Sequence, residues 1–174
     1  MLVNPKLSSE DENRKRTSCA EKRRKENKKM EKHSKGEILG SLLKAELSAA
    51  ETYQHLLEKA SEDPGVSALK RIHEDHQESA QALVNQLTDL GIRPARETGT
   101  WSVVAVVAEM GVHPLSDPMA IKALKEGEEQ GLEGYRNALL SGTLTRDQKS
   151  LISDHLLPRV NRNLSRLNKL LEAA

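Results

Sequence analysis

No phenylalanine occurs among the 174 residues, and one tryptophan and two tyrosines are the only other aromatics. Aromatic and β-branched side chains are what strands favour, so their scarcity argues against a sheet-rich fold. The chain is instead rich in Leu, Ala, Glu, Lys, Arg and Gln, the good helix formers. An all-α body is expected. The single cysteine, Cys19, excludes an internal disulfide and lies among charges with no companion ligand. No apolar run approaches the roughly 20 residues that span a bilayer, and the most apolar, Val103 to Ala108, is far too short. The N-terminus has no apolar secretory segment either, so a cytoplasmic location and no membrane partner are expected. There is no glycine-rich phosphate loop, no Cys-x-x-Cys pair and no Ser/His/Asp set, which leaves nucleotide hydrolysis and nucleophilic catalysis without support.

Charge is abundant but segregated. Residues 1–36 hold 12 Lys/Arg against 6 Asp/Glu, and the remaining residues hold 15 against 20. The basic segment from Asn13 to Lys35 has almost nothing apolar to bury, so residues 1–36 are expected to be a disordered tail or a frayed helix outside the core. Two readings stand. It is an arm for nucleic acid or another polyanion, gaining from counterion release, or it is a solubilising extension, with residues 1–29 as upstream sequence ahead of a start at Met30. Six interspersed acids and the lack of a stacking aromatic weigh against the arm.

Residues 37–174 carry helical periodicity. Ile38, Leu39, Leu42, Leu43, Ala49, Ala50, Tyr53, Leu56 and Leu57 mark a first helix, broken at Asp63-Pro64-Gly65. A second runs from Val66 to about Leu90 with Leu69, Ile72, His76, Ala80, Leu83 and Leu87 on one stripe, and Gly91 stops it. Residues 91–116 read as a long crossover with a short apolar helix at WSVVAVVAEMGVH. Asp117-Pro118 caps a third helix reaching Leu140, and a fourth starts near Thr145. Pro158 inside that fourth helix predicts a kink or break. Short, long and short connections predict an antiparallel four-helix bundle with one long crossover between the second and third helices.

An internal repeat appears when the first and third helices are aligned. Leu39 pairs with Ile121, Leu42 with Leu124, Glu46 with Glu128, Glu51 with Glu133, Tyr53 with Tyr135 and Leu57 with Leu139. In each copy a Tyr follows the Glu by close to two helical turns, so both lie on one face. That face is the apolar seam, because Leu39, Leu43, Glu46, Ala50, Tyr53 and Leu57 alternate steps of four and three. Two carboxylates are therefore expected inside, facing each other across the bundle. Burying them is costly without a cation or donors, or a proton on one or both.

These residues, Ala45-Glu46 through Tyr53 and Gly127-Glu128 through Tyr135, resemble the ferritin-like superfamily, in the style of rubrerythrin, bacterioferritin and a bacterial ferritin-like group of uncharacterised function. The resemblance spans about Glu37 to Ala174. It implies Glu46 and Glu128 as metal ligands, with Tyr53 and Tyr135 as buried phenols beside them. The second and fourth helices depart from the Glu-x-x-His pattern of di-iron members. His76 and Ser79 stand where Glu and His are expected, His73 and His76 form a different pair, and Leu164 stands where the fourth helix would supply a ligand. Glu46, His76 and Glu128 remain as a set suited to one divalent ion, iron, manganese or zinc, with Tyr53, Tyr135 and His73 around them.

Three functions follow as expectations. The first is a ferritin-like bundle with a reduced metal site, serving metal or oxidative-stress handling; ferroxidase turnover would need a second iron and more ligands. The second is a non-catalytic interaction or structural protein whose Glu/Tyr/His network only holds the fold, acting by helix-face pairing with a second copy of the chain, the expected homo-oligomer, or with another partner. The third is a DNA-associated ferritin-like protein using the basic tail.

Overall fold

The structure, a computed structural model, describes residues 6–60, 65–94 and 117–173, with side chains from residue 21 onward. Its helices are α1 (Lys6–Lys59), α2 (Val66–Asp89), α3 (Pro118–Leu140), α4 (Arg146–Leu151), a π-helical turn (Ile152–Leu156) and α5 (Leu157–Ala173). The last three follow without a gap and act as one fourth helix. Among the described residues there is no strand, so the protein is all-α and bundle-like. No described helix is long and apolar enough to cross a membrane. Most of the 91–116 segment, including its apolar helix, lies outside the described residues, as do residues 61–64.

The basic segment, expected as a disordered tail or frayed helix, is from Lys6 onward a continuation of α1. Proline is absent from Lys6 to Lys59 and Lys, Arg and Glu favour the helix, so nothing interrupts it over about 80 Å. Residues 21–33 are exposed on every side. Helix propensity is the main support of that stretch, with Lys32 Nζ donating to the Gly91 carbonyl at 3.4 Å near its end.

The helix ends follow local chemistry. Gly91 adopts φ +63 and donates to the Thr88 carbonyl, while the Ile92 N–H reaches back to the Leu87 carbonyl at 2.9 Å. This paired closure satisfies two terminal carbonyls of α2 and needs a residue at ease in the left-handed region. The Asp117 carboxylate accepts from the Met119 N–H at 2.9 Å, with Pro118 in the first turn of α3. Thr145 and Gln148 form a reciprocal capping box at the start of α4. Pro158 neither breaks nor ends the fourth helix. Its missing N–H and its ring are incompatible with a regular bond to Asp154. The chain widens just before it, the Leu157 N–H bonding the Ile152 carbonyl five residues back. Helix then continues to Ala173.

Two apolar clusters form the core. One gathers Leu39, Leu43, Leu83, Leu87, Ile152 and Leu156 with Tyr135. The other gathers Leu56, Leu69, Ile72, Ile121, Leu124 and Leu167 with Tyr53. Fully burying a side chain of this size contributes about 1.5–3 kcal/mol, so these layers supply the driving force. Between them in chain order on every helix fall the polar buried residues Glu46, His76, Glu128 and Asn163. The core is thus two apolar layers with a polar layer between.

Candidate functional site

Each helix brings one residue of that polar layer by its periodicity. On α1, Glu46 follows Leu39 and Leu43 by steps of four and three and precedes Tyr53 by two turns. On α3 the same spacing places Glu128 between Leu124 and Tyr135. On α2, His76 sits one turn after Ile72 and one before Ala80. All five of Glu46, Tyr53, His76, Glu128 and Tyr135 are at most 5% exposed. The inward placement expected of both glutamates and both tyrosines is what the structure has.

His76 lies between the two carboxylates. Its Nδ1 is 2.8 Å from Glu46 Oε2 and its Nε2 is 2.8 Å from Glu128 Oε1. The tyrosines complete the cluster crosswise. Tyr53 donates to Glu128 Oε1 at 2.9 Å, and Tyr135 donates to Glu46 Oε1 at 2.6 Å. Each repeat's tyrosine therefore serves the other repeat's glutamate. The Tyr53 ring also stacks on the imidazole, with centroids 5.3 Å apart and planes 21° from parallel.

Electrostatics fix the imidazole's role. Burial alone pushes the His76 pKa down, but Glu128 and Glu46, through charge and hydrogen bonding, outweigh it and bring the pKa to about 10. A ring charged at neutral pH carries a proton on both nitrogens and donates to both carboxylates. Burial, reinforced by the Glu128 carboxylate, raises the Tyr53 pKa well above its ordinary value. Burial and the Glu46 carboxylate do the same for Tyr135. Both phenols stay protonated donors.

His73 does not join. It is half-buried one turn before His76 and bonds neither carboxylate, and burial followed by the charge on His76 lowers its pKa. Ser79 is buried but donates to the Asp75 carbonyl of its own helix at 2.8 Å. Leu164 is half-buried against the apolar core. The buried polar residue of the fourth helix is instead Asn163, whose side-chain oxygen accepts from Arg166 at 2.8 Å. Asn163 was missed because a lone Asn among Arg, Ser and Leu carries no chemical signature.

A second charged cluster was also missed. Asp75 on α2 meets Arg166 at 2.6 Å, Arg162 at 3.6 Å and Arg159 at 4.0 Å, and Arg159 also bonds Glu78 at 2.7 Å. The signal is the spacing of Arg159, Arg162 and Arg166 along one stripe of α5, opposite acids one turn apart on α2. These pairs tie α2 to α5 at the rim of the core.

As arranged, the set does not fit a metal ion. Both His76 nitrogens are engaged, and three of the four carboxylate oxygens already accept hydrogen bonds. The fourth, Glu128 Oε2, is buried with no partner among the described residues. One free oxygen is not a coordination shell. No group of three ligand-type residues poised for a metal occurs among the described residues.

No protein-family model, no curated protein and no solved structure matches this chain. The geometry of the cluster is what bears on function.

Proposed function

We propose that this is a ferritin-like, non-catalytic helical protein in which the imidazolium of His76 stands between the two carboxylates where a divalent ion would otherwise sit. The observation that carries this reading is the double bridge, two 2.8 Å contacts from one ring to Glu46 and Glu128. A charged ring with both N–H groups engaged neutralises much of the buried acid, and two phenols satisfy more of it. Nothing in the cluster is then left to turn over a substrate. The protein would act through its surfaces, pairing with a second copy or another helical partner.

An antiparallel bundle with a long link between α2 and α3 belongs to the same proposal. Its support is the order of the two core layers. The first takes the early residues of the bundle part of α1, the late residues of α2 and α3, and the π turn; the second takes the reverse. The twofold Glu/Tyr repeat is the further likeness to ferritin-like proteins. Polyanion binding through residues 13–35 stays a separate proposal, supported by the exposure of the described basic side chains from Lys22 to Lys32.

The competing reading is a divalent ion held by Glu46, His76 and Glu128 and a role in metal or oxidative-stress handling. It requires His76 to give up a proton and release one carboxylate. Elemental analysis of protein purified without added metal, with melting curves in Fe(II), Mn(II) and Zn(II), separates the two. The bridged reading expects no bound metal and no metal-dependent gain in melting temperature. Stoichiometric metal that stabilises wild type and is lost in Glu46→Gln/Glu128→Gln would overturn it.

A further inference from the structure

Seven cations and three acids are interspersed between Glu21 and His33, where α1 is exposed on every side. A continuous helix sorts them by face. Lys22, Lys25, Lys29 and Lys32 recur by steps of three, four and three, so they form one line along the helix. Lys28 stands beside that line and Glu21 borders its first turn. Glu26, Glu31, Arg23 and Arg24 are turned away from it. Two contacts fix which way the line faces. Lys32 Nζ donates to the Gly91 carbonyl at the end of α2, and a Cβ added at Gly36, one turn later, would lie 2.5 Å from Ile92 Cδ1. The line therefore continues, past the end of α2, the face by which α1 packs on that helix, and Lys22, Lys25 and Lys29 carry it into solvent.

The composition of this stretch narrows the class of partner. Met30 is the only large apolar side chain between Glu21 and Lys35. A helix that lies in a membrane surface, or in the groove of another protein, needs an apolar face to bury, and this one has none. A row of lysines offers compact point charges suited to phosphate groups, without the planar fork that reads a carboxylate or a base edge. No aromatic residue precedes Tyr53 in α1, so there is no platform on which the unstacked bases of a single strand could lie. A straight row held by a rigid helix matches the regular phosphates of a stiff duplex. The bundle itself repels such a partner, since acids outnumber Lys and Arg in residues 37–174 even with the buried Glu46 and Glu128 set aside.

We infer that Lys22, Lys25, Lys29 and Lys32 bind the phosphodiester backbone of a double-stranded nucleic acid along one face of α1, without reading its bases. The inference rests on the polyanion reading of residues 13–35 and deepens it, because that reading asks only for basic charge whereas this one needs the helix and one of its faces. Duplex DNA and duplex RNA share the chemistry.

The test is fluorescence anisotropy of a short labelled duplex of mixed sequence with the full-length protein, across salt from about 50 to 200 mM. Four phosphate contacts give a log–log salt slope of about −3.5. Lys25→Gln/Lys29→Gln should make that slope shallower by about 2, while Arg23→Gln/Arg24→Gln, which removes the same charge from the other faces, should leave it nearly unchanged. Glutamine matches Lys and Arg in helix propensity, so both variants keep the helix. Asn27→Pro retains every charge but breaks the line between Lys25 and Lys29, and should flatten the slope as much as the lysine pair does. Its bundle should melt as wild type does, because the stretch is exposed. The tighter of DNA and RNA duplexes of one sequence names the source, and equal binding assigns the backbone alone. Equal losses in the two double variants, undiminished binding by Asn27→Pro, an oligo-thymidine strand bound as tightly as the duplex, or phosphatidylserine vesicles bound through the same lysines would each overturn the inference while leaving the polyanion reading in place. Wild type that binds neither duplex in a salt-sensitive way would sink the polyanion reading itself, a separate result.

Discussion

Replacing His76 with leucine tests the bridge directly. Leucine nearly conserves volume, so the cavity contribution is small and the loss is electrostatic. Two charge-assisted contacts of 2.8 Å disappear, and two carboxylates stay buried at the same depth with only Tyr53 and Tyr135 as donors. Removing one member of a buried ion pair costs about 3–5 kcal/mol, because the remaining charge is left uncompensated. For a domain of this size each kcal/mol lowers the melting temperature by roughly 2–4 °C, so a fall of about 6–20 °C is expected. Urea unfolding at pH 7 with chelator present gives the free energy, and an unchanged denaturant slope shows that the native state is intact. The variant His76→Leu/Glu46→Gln/Glu128→Gln removes both orphaned charges and should recover most of the loss. If His76→Leu costs less than about 1 kcal/mol, or if the triple variant is worse than the single, the imidazolium is not what balances the carboxylates.

Further expectations are shorter. His76 has a folded pKa raised to about 10, so its stabilisation is fully present below its ordinary value near 6.5 and is lost as pH rises towards 10. Unfolding free energy should therefore fall by about 1.4 kcal/mol per pH unit across that window, a slope that urea melts should find missing in the triple variant. Gly91→Ala forces an L-residue to φ +63 and should cost about 1–2 kcal/mol in the same assay. Asp117→Ala should cost about 1 kcal/mol by leaving the Met119 N–H uncapped, and asparagine there should restore most of it. Deleting residues 1–29 should leave the thermal melt nearly unchanged, since Glu21 to Lys29 are exposed, and should abolish any salt-sensitive DNA affinity in a filter-binding assay.

The all-α body and the inward glutamates were legible because they rest on periodicity. Glu46 and Tyr53 fall two turns apart on an apolar stripe, and Glu128 and Tyr135 repeat the pattern, so no tertiary knowledge was needed to put four groups inside. Their pairing was not legible. Whether Tyr53 would bond its own helix's Glu46 or the opposite Glu128 depends on how far the helices are offset, which no single-helix pattern contains. His76 was recognised as inward, yet its two nitrogens make it equally a ligand, a donor or a bridge, and only the positions of both carboxylates decide. Pro158 was read as a kink or break because the rule for a regular helix forbids it. A π turn evades that rule by widening the chain one residue earlier. The Asp75 cluster escaped because acids on α2 and arginines on α5 look like solvated faces when each helix is read alone.

The repeat is twofold but the bridge is not, and the difference explains where the open chemistry lies. Glu46 divides its load, Oε1 taking Tyr135 and Oε2 taking His76. Glu128 receives both Tyr53 and His76 on Oε1. That inequality arises because α2 supplies a histidine to the centre while the fourth helix supplies only Val160 and Asn163 at that level, the first apolar and the second turned to Arg166. With a second donor from α5, Glu128 Oε2 would be satisfied from within. Without it, Glu128 Oε2 stays buried without a partner among the described residues, in a layer flanked by the small residues of α1 and α3. The lost symmetry of α2 and α5 therefore leaves the cluster's unmatched acceptor on Glu128, itself closed off from solvent.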